Sequence, residues 1–218
     1  VPLAFSAWDT ISIMDREEHW QQVYTTKGEQ DTSWFEAVPA VSLRLMEAAG
    51  LTARTCVVDI GGGDSRLVDA LAARGLSCLA VLDVSSAALA RAQARLGETA
   101  RTLTWIAADV TGRWSLKPMD IWHDRAVFHF LATSEDRAGY VAHMRETIKP
   151  GGAAIIATFA LDGPEKCSGL PVVRYSPEML AHELGETFDL VETVPYRHVT
   201  PRGAEQSFQY SRFVRRTG

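Results

Sequence analysis

The feature that most constrains this chain is an apolar run that stops at three consecutive glycines: Thr55-Cys56-Val57-Val58-Asp59-Ile60-Gly61-Gly62-Gly63, continued by Asp64-Ser65. A short Val/Ile-rich run ending in glycine reads as a strand, Thr55–Ile60. Leu67, Val68 and Leu71 then recur at helical spacing over Ser65–Arg74. Glycine lets the chain turn sharply and lets backbone approach a ligand closely. The free N–H groups of the first helical turn face that approach. A strand, a glycine loop and a helix in this order open a parallel α/β sheet.

The alternation continues along the chain. Strands are predicted at Ser77–Leu82, Thr102–Ala107, Met119–His123 and Ala153–Phe159. Helices are predicted at Ser86–Leu96, capped by Ser85 or Ser86, at Glu135–Ile148, ended by Lys149-Pro150-Gly151-Gly152, and at Pro177–Leu184. The end of the chain breaks the rule. Asp189–Val199 and Ser207–Arg215 are strand-like, and the gap between them holds Pro201 and Gly203 and has no room for a helix, so these strands pair antiparallel. The expected fold class is α/β: a Rossmann-like, doubly wound, seven-stranded sheet, mostly parallel, with a C-terminal antiparallel hairpin. Residues 1–50 read as a helical segment, Arg16–Tyr24 and Pro39–Ala49, lying as a lid on the domain formed by residues 51–218.

In such sheets ligands sit at the carboxyl ends of the strands, near the point where strand order reverses. Three acids stand there: Asp59, Asp83 in Val81-Leu82-Asp83-Val84, and Asp109 in Ala107-Ala108-Asp109-Val110. A pyrophosphate would be repelled by Asp59 and Asp64 beside the glycine loop. A group carrying both an ammonium and a carboxylate would suit it. Asp83 is placed to accept from two ribose hydroxyls. Asp109 can accept from an adenine amino group, while the Val110 N–H meets the ring.

This set resembles the class I S-adenosylmethionine-dependent methyltransferases. Val57 to Ser65 is similar to their first motif, Asp83 to the second, Asp109-Val110 to the third, and Ile148-Lys149-Pro150-Gly151-Gly152 to the turn before their fifth strand. The resemblance covers roughly residues 55–215, and Ser65 stands where many members have a further glycine. It implies S-adenosyl-L-methionine as cofactor, held by Asp59, Gly61, Gly62, Gly63, Asp83, Val84, Asp109 and Val110, with Trp20, Tyr24, Trp34 and His123 as further contacts. A looser likeness links Asp120-Ile121-Trp122-His123-Asp124-Arg125-Ala126, Tyr175-Ser176-Pro177 and the aromatic Trp20, Tyr24, Trp34 and Phe35 to the thiopurine S-methyltransferase branch. His123 is inserted relative to that pattern, and Ala126 replaces its glycine.

The donor of such an enzyme is a sulfonium cation, which aromatic faces attract, so Trp20, Tyr24, Trp34 and Phe35 could wall it. The competing reading makes them the packed face of a helical cap. Arg125, Asp124 and His129 are the candidate catalytic residues: Arg125 to favour a thiolate, and His129 (or His123) as a base for other nucleophiles. The bland alternatives are an Arg125–Asp124 ion pair and packed core histidines. The loop from Gly163 to Tyr175, with Cys167 and Arg174, is expected to close over the pocket.

Composition sets limits on partners. Of 218 residues 46% are hydrophobic and 22% charged, and the formal net charge of −5 argues against a nucleic-acid partner. The Arg212, Arg215, Arg216 cluster reads as a solvated tail. No apolar run approaches the ~20 residues that cross a bilayer. Val1–Trp8 lack the basic flank of a signal peptide, and Met14 is a plausible natural start. The 6 histidines show no metal-ligand spacing, and no metal is expected. The 3 cysteines, widely spaced, read as packed thiols in a reducing cytoplasm, with a minor functional prior for Cys167. The expected activity is methyl transfer to a small-molecule acceptor, with a thiol or related sulfur favoured, by a cytoplasmic monomer or homodimer. Alternatives are a protein lysine methyltransferase, with an open acidic trough, a nicotinamide-dependent oxidoreductase, and a non-catalytic cofactor-binding protein.

Overall fold

The computed structural model describes residues 13–217, so the readings of Val1–Trp8 lie outside the described residues. Among the described residues nine strands and six α-helices follow one another: α1 (Ile13–Thr26), α2 (Ala40–Ala48), β1 (Val57–Ile60), α3 (Leu67–Ala73), β2 (Leu79–Asp83), α4 (Ser86–Leu96), β3 (Thr104–Ala107), β4 (Met119–Arg125), α5 (Ser134–Thr147), β5 (Ile148–Phe159), β6 (Lys166–Cys167), β7 (Leu170–Pro171), α6 (Pro177–Leu184), β8 (Phe188–Val199) and β9 (Glu205–Arg215). Seven of the strands make one sheet in the order β3-β2-β1-β4-β5-β9-β8. β1 to β5 run parallel, and β9 pairs antiparallel with both β5 and β8.

The order reverses between β1 and β4, which places the switch point at the end of β1. Every residue of β1 and β2 is buried, because helices cover both sheet faces. One face packs Leu45, Met46, Leu67 and Leu71 against Val57, Val81 and Ile121. The other packs Tyr140, Met144, Leu180 and Leu184 against Val58, Trp122 and Ile156. Ser85, rather than Ser86, caps α4 by accepting from the Ala88 N–H at 3.2 Å. Thr133 and Ser176 cap α5 and α6 in the same way.

Three expectations change. β4 runs two residues further than predicted, through Arg125. Strand alternation then sends Asp124 to the α5 face and His123 and Arg125 to the α2 face. β5 starts at Ile148, so Lys149-Pro150-Gly151-Gly152 lies within a strand, where Gly151 takes φ +78°. Cys56 and Cys78 are not separate packed thiols: they form a disulfide, with Cα atoms 4.6 Å apart. The register explains it. Val57 and Leu79 are partners across β1 and β2, so the residues just before them lie side by side. Unpaired thiols therefore no longer argue for a reducing compartment. Among the described residues no helix is long and apolar enough to cross a membrane.

Candidate active site

β1, β2 and β3 end beside one another, and their terminal acids face a common cleft. It has a larger recess, lined by Asp83, Val84, Asp109 and Val110, and a smaller one, lined by Asp59, Gly62 and His123. Tyr24, Trp34, Gly61 and Arg125 line both, so the two recesses share walls. Gly61 holds φ +62°, and a Cβ there would run into the Val127 side chain. A Cβ on Gly62 would lie 2.5 Å from Asp59 Oδ2. The loop thus has room for backbone only.

The three acids differ in what occupies them. Asp59 is buried; its Oδ1 lies 2.7 Å from His123 Nδ1, and its Oδ2 has no partner. Asp83 accepts from the Ser85 N–H at 2.8 Å. Burial, together with the nearby Asp59 charge, pushes the Asp83 carboxyl up to about 7. Asp109 Oδ1 accepts from the Thr111 N–H at 2.8 Å and from its hydroxyl at 2.6 Å, while Oδ2 lies 3.5 Å from Arg16 Nε. Asp64, read from sequence as a second acid of the loop, is instead neutralised by Arg95 and, at 3.6 Å, by Arg91.

The N-terminal segment forms the roof. Gln21 Oε1 accepts from the Ser85 hydroxyl at 3.0 Å and the Ala87 N–H at 3.2 Å, docking α1 on the start of α4. Arg16 adds a 3.0 Å bond to Asp136. This brings Trp20, Tyr24 and Trp34 into the cleft wall, with ring centroids 5.7 Å apart for Trp20–Trp34 and 5.2 Å for Trp20–Phe130. Phe35 lines the smaller recess. The rings pack against one another as a cap and also line the two recesses.

The predicted catalytic residues are not brought together. Arg125 lines both recesses but does not pair with Asp124. It donates to the Trp34 carbonyl at 2.7 Å and the Tyr210 hydroxyl at 3.1 Å, lies 3.2 Å from Glu36 Oε1, and sits over the Phe208 ring. Asp124 lines neither recess. It accepts from the Val127 N–H at 2.8 Å, the Phe128 N–H at 3.0 Å and the Tyr140 hydroxyl at 2.8 Å, and so fixes the turn in which Ala126 holds φ +74°. Burial raises its carboxyl to about 6.

His129 also lies behind the wall, between Phe130 and Phe159. Its Nδ1 accepts from the Phe159 N–H at 3.3 Å, so in the neutral ring Nε2 carries the proton and no lone pair is left for a base. Burial and the Arg125 charge push it down to about 3. Cys167 is buried, unpaired and in the cleft wall, and burial pushes its thiol up to about 11. It belongs to the β6–β7 hairpin, which was expected to be an irregular loop.

Sequence reasoning missed Arg16, Glu36, Ser42, Phe159, Gln206 and Phe208, all in the lining. Phe208 had a findable signal, since the terminal hairpin pairs it with Phe159 at the end of β5. Glu36 and Ser42 had none, because they reach the site from outside the alternating pattern.

Residues 58–154 match the family described as a methyltransferase domain. No curated protein matches the sequence. The fold is that of solved methyltransferase structures. A structure solved for the conversion of a disulfide bond into a thioacetal group during echinomycin biosynthesis is similar at TM-score 0.73 and 20% identity, over 93% of this chain and 94% of the other. The N-methyltransferase NodS from Bradyrhizobium japonicum WM9, in complex with S-adenosyl-L-homocysteine, gives 0.69 and 19%, over 92% and 99%. The 1,6-didemethyltoxoflavin-N1-methyltransferase of Burkholderia thailandensis gives 0.66 and 17%, over 99% and 92%.

Proposed function

We propose that this chain, whose residues 58–154 match a methyltransferase-domain family and whose fold is that of solved methyltransferases, transfers the methyl group of S-adenosylmethionine to a small sulfur-bearing acceptor. The observation that carries the reading is the row of acids, Asp59 and Asp83 buried and Asp109 half-buried, at the ends of three adjacent strands under an aromatic roof. Asp59 Oδ2 is an acceptor without a donor, and Asp59, Gly61 and Gly62 line the smaller recess. Those features fit the cofactor: Asp59 and Gly61–Gly63 at its amino-acid end, Asp83 and Val84 at the ribose, and Asp109 and Val110 at the adenine. Trp20, Tyr24 and Trp34 offer faces to a sulfonium. The cofactor supplies an electrophilic methyl group.

The protein's own part is to place the nucleophile and exclude water. Beside Arg125 the larger recess is lined by Phe130, Phe159 and Phe208, walls that suit an apolar acceptor better than a lysine side chain seeking an acidic trough. Among the described lining residues of that recess no histidine is present, and its carboxylates, Asp83 and Asp109, stand at the cofactor end. A nucleophile that needs no base is favoured, and a thiol ionises near neutrality. The half-buried Arg125 guanidinium, although its Nη2 lies 3.2 Å from Glu36 Oε1, lines both recesses and supports the anion.

The test is transfer of a labelled methyl group over thiols, amines, phenols and carboxylates, alongside melting curves with S-adenosylhomocysteine and with NAD. Transfer to thiols and stabilisation by S-adenosylhomocysteine are expected. Transfer to amines alone would overturn the sulfur preference. Stabilisation by NAD alone would overturn the cofactor, and saturable cofactor binding without transfer to any acceptor would leave a binding protein.

A further inference from the structure

His123 interrupts the motif at the end of β4, and the sheet gives it a defined partner. β1 and β4 are neighbours in register, with Asp59 opposite His123, so both side chains point to the α2 face. There His123 Nδ1 lies 2.7 Å from Asp59 Oδ1, and Nε2 lies 2.9 Å from Ser42 Oγ on α2. All three side chains are buried. A carboxylate only accepts, so Nδ1 carries the proton, and in the neutral ring Nε2 accepts from the Ser42 hydroxyl. One carboxylate oxygen is thereby fixed, and Oδ2 stays unpartnered beside Gly62 in the wall of the smaller recess.

We infer that Ser42–His123–Asp59 is a positioning relay that aims Asp59 at the cationic amino group of the cofactor, with His123 acting through Asp59 rather than by contact. The inference rests on the proposed cofactor. The relay compensates the buried carboxylate on one side only. The remaining oxygen gains most from a donor carrying positive charge, such as an ammonium. An adenosyl ligand without the amino-acid end gains nothing from it. His123 therefore confers preference for the whole cofactor over its nucleoside fragment.

The test compares calorimetric affinities for S-adenosylhomocysteine and for 5′-methylthioadenosine, which has the same nucleoside and sulfur but no amino acid. H123L is expected to weaken S-adenosylhomocysteine about tenfold and to leave 5′-methylthioadenosine within about twofold. An asparagine amide nitrogen can take the place of Nδ1, so H123N recovers most of the lost affinity. A glutamine nitrogen takes the place of Nε2, so H123Q does not. Equal weakening of both ligands, or no recovery in H123N, would show a merely structural histidine and overturn the inference. D59N supplies the same comparison should H123L fail to fold: it is expected to lose only the amino-acid-bearing ligand, and equal loss of both overturns the relay. A wild-type chain that binds neither ligand overturns the cofactor reading, and the relay with it.

Discussion

Asp83 is buried at the end of β2, and desolvation raises its carboxyl to about 7 from 3.8. If its role is to accept from ribose hydroxyls, only the ionised form serves, and binding of a ribose-bearing ligand must follow its titration. About a tenth of the sites are ionised at pH 6 and about nine tenths at pH 8. Affinity is therefore expected to rise about tenfold across that interval, and to level off above it. The ligand of choice is 5′-methylthioadenosine, which keeps the ribose and adds no titrating amino acid. Calorimetry at half-unit steps of pH reads the slope directly. D83N carries no titrating group there, so it should bind weakly and without the slope, whereas Asp124, raised to about 6, is unaltered in both proteins. The stability effect has the opposite sign. The folded state holds a proton that the unfolded chain releases above 3.8. Asp83's contribution is thus fully present below that value and is lost as pH rises towards 7, on the order of 4 kcal/mol relative to D83N. A flat affinity in the wild type, or an unchanged slope in D83N, would refute the assignment of Asp83 to the ribose.

Two other substitutions separate structural from chemical roles. Asp124→Ala removes the acceptor for the Val127 and Phe128 N–H groups and the Tyr140 hydroxyl, and should cost roughly 3–5 kcal/mol in urea unfolding; a loss of turnover at unchanged stability would return Asp124 to the catalytic set. Arg125→Ala takes the guanidinium away from half-buried Glu36, which keeps His198 Nδ1 at 3.4 Å, so it should destabilise by about 1–3 kcal/mol and, in the fraction that folds, lower turnover more than cofactor affinity; loss of cofactor affinity alone would make Arg125 a cofactor ligand.

What the sequence made legible is the part governed by period and punctuation. The runs around Val57–Ile60 and Leu79–Asp83, the cap at Ser85, and the Pro201–Gly203 turn each have a local cause, and each lies where that cause puts it. The acids at the strand ends were legible for the same reason, since a strand's terminus is a position in sequence as well as in space. Errors arose where the deciding partner is distant. A strand two residues longer than expected moved Asp124 to the far face, and nothing within Trp122–Ala126 signals where β4 stops, because the pairing of Arg125 with Ala157 on β5 decides it. Cys56 and Cys78 looked unrelated until strand register placed them together.

The same distinction explains why the proposed cofactor end is easier to read than the proposed acceptor end. The former is assembled from consecutive β–loop–α units, each contributing its own acid. The latter is a junction of α1, the segment around Trp34–Glu36, the exit of β4, the β6–β7 hairpin and the start of β9. Arg125 shows the consequence. From sequence its nearest acid is Asp124, yet neighbours along a strand point to opposite faces, so that pair is the one the geometry forbids. Its actual partners are the Trp34 carbonyl, Glu36 and Tyr210. Arg125 thus ties the aromatic roof to the sheet at the wall shared by both recesses, so the groups that shape the proposed acceptor space and those that keep the N-terminal segment docked are the same groups. A change of acceptor preference engineered at Arg125 or Glu36 must then also change how firmly that segment is held, and selectivity at this site is inseparable from the stability of its roof.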